Sequence, residues 1–166
     1  MKLDPIFRRD NHYKMTFAMS YNQAEKYILV LSHDEVVHLK CSMLNKMPGF
    51  YVDKFANLRV GYTYMLGHAG KKLLFMGQEF AQDSEWSEER ELDWSLLGDE
   101  LHSGMQSYVR ELLKLYNEYP CLYELDHEYE GFSWINADDT YKSIYSFVRY
   151  DRAKKKSLLF VLNFTP

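Results

Sequence analysis

Two short runs of unbroken apolar residues, each ending in a polar cluster, organise the first half of the chain. Tyr27-Ile28-Leu29-Val30-Leu31 stops at Ser32-His33-Asp34-Glu35, and Leu73-Leu74-Phe75-Met76 stops at Gly77-Gln78-Glu79. Runs of this length, the first with β-branched members, predict strands buried on both faces, as in a parallel sheet. Between them, Met47-Pro48-Gly49 reads as a loop. Phe55, Leu58, Tyr62, Met65 and Leu66 then recur at helical spacing, which predicts an amphipathic helix over 53–67. The result is a β-α-β unit with parallel strands at 27–31 and 72–76 and a right-handed crossover. Ahead of it, residues 13–20 predict a short helix. After it, residues 80–99 form a long polar loop carrying Trp86 and Trp94. A second helix runs from about Gly104 to Tyr119, with Met105, Tyr108, Leu112, Leu115 and Tyr116 on its apolar face, and Pro120 stops it.

Beyond Pro120 the pattern changes. Phe132-Ser133-Trp134-Ile135, Ser143 to Tyr150 and Ser157 to Phe164 predict three strands. Asn136-Ala137-Asp138-Asp139 and Asp151 to Lys156 predict the turns between them. This is an antiparallel meander and a second structural unit, so the expected division is 1–119 and 120–166. Three strands barely suffice for independent stability, and the last is a candidate unprotected edge.

Composition narrows the classes. The chain has 166 residues, 46% hydrophobic and 27% charged, which fits a folded domain rather than a disordered segment. Net charge is −4, and Lys154-Lys155-Lys156 is the one basic run, read as a solvated turn. A nucleic-acid interface needs a basic footprint, and none is visible. The apolar runs are far shorter than the ~20 residues of a membrane span. Met1 to Asp10 has no secretory h-region. Cys41 and Cys121 lie in no metal-binding or redox spacing and are expected as reduced thiols in a cytoplasmic protein.

In parallel β/α architectures, ligands bind at the carboxyl ends of the strands. His33, Asp34 and Glu35 follow one strand end and Glu79 the next. Neighbouring strands are about 4.8 Å apart, so Asp34 and Glu79 are placed to face one cleft. Paired-carboxylate glycosidases need about 5–9.5 Å between such groups. Spacing alone leaves open whether these two carboxylates are a catalytic pair or merely cap helices and pair with arginine. His33 and His38 are five residues apart, off a common helical face, so no metal site is expected. Cys41 has no base placed beside it and reads as a small buried hydrophobe. Among the aromatics, 16% of the chain, Tyr62 falls in the helical stripe and reads as core, whereas Tyr64 is left open as a sugar-stacking ring. Trp86 lies among Glu85, Ser87, Glu88 and Glu89 and is the better candidate to meet a sugar face. Trp94, between Leu92 and Leu96, reads as packing.

Several segments then carry a resemblance. Ser32-His33-Asp34-Glu35-Val36-Val37-His38 resembles the fourth signature region of the α-amylase superfamily, in its branching-enzyme form. Lys46-Met47-Pro48-Gly49, Lys54 to Arg59, Gly70 to Gly77 with Glu79-Phe80, Leu92-Asp93-Trp94, Leu122 to Asp126 and Leu162 to Pro166 match the same family in the same order. The chain thus resembles the C-terminal stretch of 1,4-α-glucan branching enzymes and is too short for the whole enzyme. Two departures stand out: Leu39 after His38, and Ala81 after Phe80, where glycine is commoner in the family.

The resemblance implies an α/β fold: the C-terminal part of an eight-fold β/α (TIM) barrel, with 27–31 and 72–76 as its seventh and eighth strands, followed by the beginning of an all-β sandwich domain. It implies cleavage of α-1,4 linkages and transfer of the glucan to 6-hydroxyls as α-1,6 branches, in glycogen biosynthesis. By the family pattern Asp34 stabilises the transition state by gripping sugar hydroxyls, and His33 hydrogen-bonds the same sugar. Glu79, Trp86 and His38 are the remaining substrate-binding candidates. The nucleophilic Asp and general-acid Glu would lie outside these residues, on the fourth and fifth strands. The isolated chain is therefore expected to be inactive, with α-glucan and the rest of the barrel as its partners and no cofactor. Two alternatives stay open: a piece of another α-amylase superfamily hydrolase, and a non-catalytic glucan-binding module.

Overall fold

The computed structural model describes residues 1–165; Pro166, which ends the last motif quoted above, lies outside them. A short helix, α1 (Tyr13–Thr16), continues as a 3₁₀ turn over Phe17–Ser20. Strand β1 (Ile28–Leu31), helix α2 (Tyr51–Gly67) and strand β2 (Lys71–Leu74) follow, then helix α3 (Glu100–Glu118) and strands β3 (Phe132–Asp139), β4 (Ile144–Tyr150) and β5 (Ser157–Asn163). β1 and β2 pair in parallel, Ile28 opposite Lys71 and Leu31 opposite Leu74. β3, β4 and β5 form an antiparallel sheet in chain order. The parallel unit and the meander are thus as expected.

Local chemistry sets the helix ends. Asp53 accepts the Phe50 N–H at 3.0 Å as α2 begins, satisfying one of the donors a helix start leaves free. Asp99 accepts the Leu101 N–H at 2.8 Å and caps α3. Pro120 follows immediately after α3 and cannot continue it.

Several expectations need correction. β1 and β2 are not buried on both faces: Ile28 is 55% and Val30 47% exposed. The two strands have only each other as hydrogen-bonded neighbours among the described residues. Alternation along each strand therefore sends Leu31 and Leu74 into a core and leaves Ile28, Val30 and Leu73 uncovered. β2 also starts one residue earlier than 72 and ends before Phe75, so Met76 is exposed. The turn expected at Asn136–Asp139 lies inside β3, whose pairing with β4 shifts register on either side of Asn136. Asn136 accepts the N–H of Asp138 through its side chain, a local bend that a bulged strand absorbs. The chain reverses instead at Thr140–Ser143. Leu115 on α3 is exposed, whereas Val109 is buried. Cys41 is exposed, not a buried hydrophobe; Cys121 is buried, and both thiols are free.

Helix α2 spans two cores. Phe55, Leu58 and Tyr62 pack with Leu44, Met47, Ala81, Met105 and Val109. Tyr64 packs instead with Phe132, Tyr145, Phe147, Leu162 and Phe164 of the antiparallel sheet. At its C-terminal end, Gly67 lies so close to the Phe160 ring that a Cβ there would clash, at 2.5 Å. Arg149, on the inward face of β4 and fully buried, ties the two units together. It donates to the carbonyls of Gly67 (2.8 Å) and His68 (2.9 Å) and to that of Gly131 (3.1 Å). Its guanidinium also meets Asp126 at 2.8 Å, and Lys71 approaches the other oxygen of that carboxylate at 3.0 Å.

Candidate active-site segment

His33, Asp34 and Glu35 follow the end of β1, and Glu79 follows that of β2. Ser32 Oγ accepts the Asp34 N–H at 3.3 Å and opens a 3₁₀ turn over His33–Glu35. His33 Nε2 lies 3.4 Å from Asp34 Oδ1, and the two side chains are 54% and 72% exposed. Asp34 thus presents an accessible carboxylate with one imidazole neighbour. Behind it, the His33 ring meets Phe75 at 5.9 Å, and Phe75 meets Trp86 edge-on at 5.2 Å. Because His33 follows β1 and Phe75 follows β2, parallel pairing puts both rings on the same edge of the sheet.

The other candidates are placed less centrally. Glu79 sits in the 3₁₀ turn Gln78–Phe80, half-buried. Burial first, and the Glu79 charge second, raise the Tyr62 phenol well above its ordinary range. Glu79 and Asp34 share no hydrogen bond or ion pair among the described residues. Tyr62 is core, its hydroxyl donating to the Gln78 carbonyl at 3.0 Å. Tyr64 is likewise buried and is not available to stack on a sugar. Trp86 and Trp94 exchange their expected roles in part: Trp86 is half-buried against Phe75, while Trp94 is 51% exposed and leans on Phe80 at 5.4 Å. His38 is exposed. No helix among the described residues is long and apolar enough to cross a membrane.

What the sequence reading missed is the hold on the segment itself. Lys46 reaches back to the carbonyl and carboxylate of Glu35, the latter at 3.3 Å. Lys40 donates to the Asp34 carbonyl at 2.7 Å. Glu85, read only as part of the acidic surroundings of Trp86, accepts the backbone N–H groups of Leu39 (3.1 Å) and Cys41 (2.6 Å). No periodicity signals such long-range contacts; the polar loop around Glu85 was the only hint.

The two departures from the resembled pattern have a common backbone cause. Leu39 sits at φ 65° and Ala81 at φ 58°, the left-handed region that glycine occupies without penalty. Leu39 is 96% exposed and packs on nothing. Leu39→Gly is therefore expected to stabilise the protein by about 0.5–1 kcal/mol, the left-handed strain of an L-residue less the entropy glycine adds to the unfolded chain. A lowered midpoint in thermal or urea unfolding would contradict this. Ala81 is buried in the first core, so its methyl offsets part of the same strain.

Comparison with known proteins relates the chain to one group of enzymes. Residues 134–166 match the family described as the α-amylase C-terminal all-β domain, which accounts for the antiparallel sheet. The whole chain is 66% identical to a 1,4-alpha-glucan branching enzyme, GlgB, of Butyrivibrio fibrisolvens, covering 26% of that protein. It is 50% identical over 98% of its length to a GlgB of Shewanella sp. (strain MR-7), covering 22% of it. It is 49% identical over its full length to GlgB 2 of Clostridium perfringens, covering 25%. The chain thus spans about a quarter of the length of the curated relatives it matches. From end to end it is homologous to the C-terminal part of 1,4-alpha-glucan branching enzymes.

Proposed function

We propose that this chain acts as the C-terminal part of a 1,4-α-glucan branching enzyme that builds α-1,6 branches into glycogen. The observation that carries the reading is the 66% identity to such an enzyme across every residue of the chain. Residues 1–119 supply the seventh and eighth strands of a β/α barrel, and 120–166 begin the C-terminal β domain. The uncovered Ile28, Val30 and Leu73 fit that assignment, because the remaining barrel strands and their side chains would cover them. So does an apolar cavity of about 320 Å³ beside β1 and α2, lined by Leu29, Leu31, Met47, Leu58 and Tyr62. The protein is read as cytoplasmic, with α-glucan as substrate and no cofactor.

Retaining transfer needs one carboxylate to attack the anomeric carbon and a second group to protonate the departing glycosidic oxygen. Both come from the rest of the barrel. The 6-hydroxyl of an acceptor glucan then displaces the enzyme carboxylate, restoring it, and gives its proton to the group that had protonated the departing oxygen. Asp34 contributes differently, accepting hydrogen bonds from hydroxyls of the reacting sugar as the ring flattens toward its oxocarbenium-like state. His33 bonds the same sugar. Phe75, itself against Trp86, backs the His33 ring, and Trp86, His38 and Glu79 are read as further contacts to the glucan.

The isolated chain is expected to form no branches. Incubating it with amylose and following the iodine colour and the α-1,6 signal should show neither change. The exposed strand faces should also cause self-association, visible by sizing chromatography. Branching by the purified chain alone would overturn the division of roles, since Asp34 and Glu79 would then have to be the working pair.

A further inference from the structure

We propose that Glu85 is a positioning residue for Asp34, acting by clamping the loop that follows it. This rests on the role given to Asp34 above. Three of the four residues from His38 to Cys41 have left-handed backbones: His38 at φ 56°, Leu39 at 65° and Cys41 at 66°. None is glycine, so the loop is unfavourable on its own and holds this shape only while something fixes it. The Glu85 carboxylate is that fixture. One oxygen accepts the Leu39 N–H and the other the Cys41 N–H, as charge-assisted bonds. The residue between those two amides is Lys40. Its ammonium reaches back to the backbone carbonyl of Asp34 at 2.7 Å.

A continuous path therefore runs from Glu85 through two amides to Lys40 and on to the peptide that carries Asp34. The neighbouring residue reinforces it: the Trp86 N–H donates to the Val36 carbonyl at 3.0 Å. Arg90 donates to the Glu85 carbonyl at 2.7 Å and fixes the near end of the clamp. Val36 and Val37, between the turn and the loop, are both buried. Asp34 itself is highly exposed, with only His33 beside its carboxylate among the described residues. Its aim is thus set by its backbone, which Ser32 holds at the Asp34 N–H and Lys40, seated by Glu85, holds at the Asp34 carbonyl. A carboxylate that must meet a distorted sugar tolerates little displacement, since a shift of about 1 Å can cost about 100-fold in rate.

The test uses the intact branching enzyme of which this chain is read as a part. Glu85→Ala, Glu85→Gln and, as the reference for the site, Asp34→Asn are compared for kcat and KM on amylose. Amide hydrogen exchange is followed at Leu39 and Cys41. Glu85→Ala is expected to lower kcat by about 10- to 100-fold with KM little changed, because the sugar contacts remain but their alignment is lost. The Leu39 and Cys41 amides should exchange faster while α2 and α3 stay protected. Glu85→Gln keeps an acceptor oxygen without the charge and should fall between Glu85→Ala and wild type; it also carries the test if Glu85→Ala does not fold. Wild-type kcat in a folded Glu85→Ala enzyme, or exchange raised equally across all elements, would overturn the clamp. Full activity in Asp34→Asn would instead refute the role of Asp34. The clamp would then be judged on the Leu39 and Cys41 exchange, where unchanged protection refutes it.

Discussion

Asp34→Asn, made in the full-length enzyme, is expected to lower kcat by about 100- to 1,000-fold while leaving the fold intact, the scale seen when one preorganised group is removed from a transition state. The side chain is 72% exposed and, among the described residues, makes no bond beyond its approach to His33, so little stability depends on it. Asparagine keeps the shape but loses the charge that favours a positive anomeric centre. The loss should appear in kcat more than in KM. His33→Ala should cost less, because a neutral hydrogen bond is weaker than a charge-assisted one. Product analysis of the two purified variants, with melting curves to verify folding, checks both. Near-wild-type branching by folded Asp34→Asn would remove Asp34 from the chemistry.

The largest stability effect is expected at the other end of the molecule. Asp126→Asn should destabilise the protein by about 3–5 kcal/mol, because it strands a buried guanidinium without its counter-charge. Arg149 is fully buried and the Asp126 side chain is 1% exposed, so water cannot take over. Burial alone would raise the Asp126 carboxyl. The charges of Lys72 and Arg149, and the bonds from Arg149 and Lys71, outweigh it and hold the group below its usual range. An acid depressed in the folded state supplies stability that is present above its unfolded pKa, about 3.9, and is lost as pH falls through the folded value. Wild type should therefore lose this contribution in strong acid, below about pH 4. Asp126→Asn should be weaker at neutral pH and flatter in that acid range. Urea unfolding of both proteins at neutral and acidic pH decides it, and an Asp126→Asn midpoint equal to wild type at pH 7 would refute the account.

Much of this architecture was legible in the chain. The switch from unbroken apolar runs to short strands with polar turns gave the parallel unit and the meander, because each pattern follows from which faces are covered. The same logic failed where covering was assumed. Ile28, Val30 and Leu73 are apolar yet exposed, since the sequence records what the strands are suited to meet and not what lies within these residues. Asn136 to Asp139 read as a turn because polar side chains bend a backbone equally well in a bulged edge strand. The candidate site was legible only as far as the ends of the strands. His33 and Asp34 could be placed from local order, whereas the hold on them comes from Lys40, Lys46 and the distant Glu85. Arg149 was hidden for a similar reason: one charged residue in a strand looks solvated until its partners, Asp126 and the end of α2, are known.

The most direct measurement is a graft. The corresponding quarter of the Butyrivibrio fibrisolvens branching enzyme, 66% identical to this chain, is replaced by residues 1–166, and α-1,6 linkages formed on amylose are counted by proton NMR. The chimera should branch amylose, and the same chimera carrying Asp34→Asn should not. A folded, soluble chimera that forms no α-1,6 linkages would contradict the assignment of this chain to a branching enzyme.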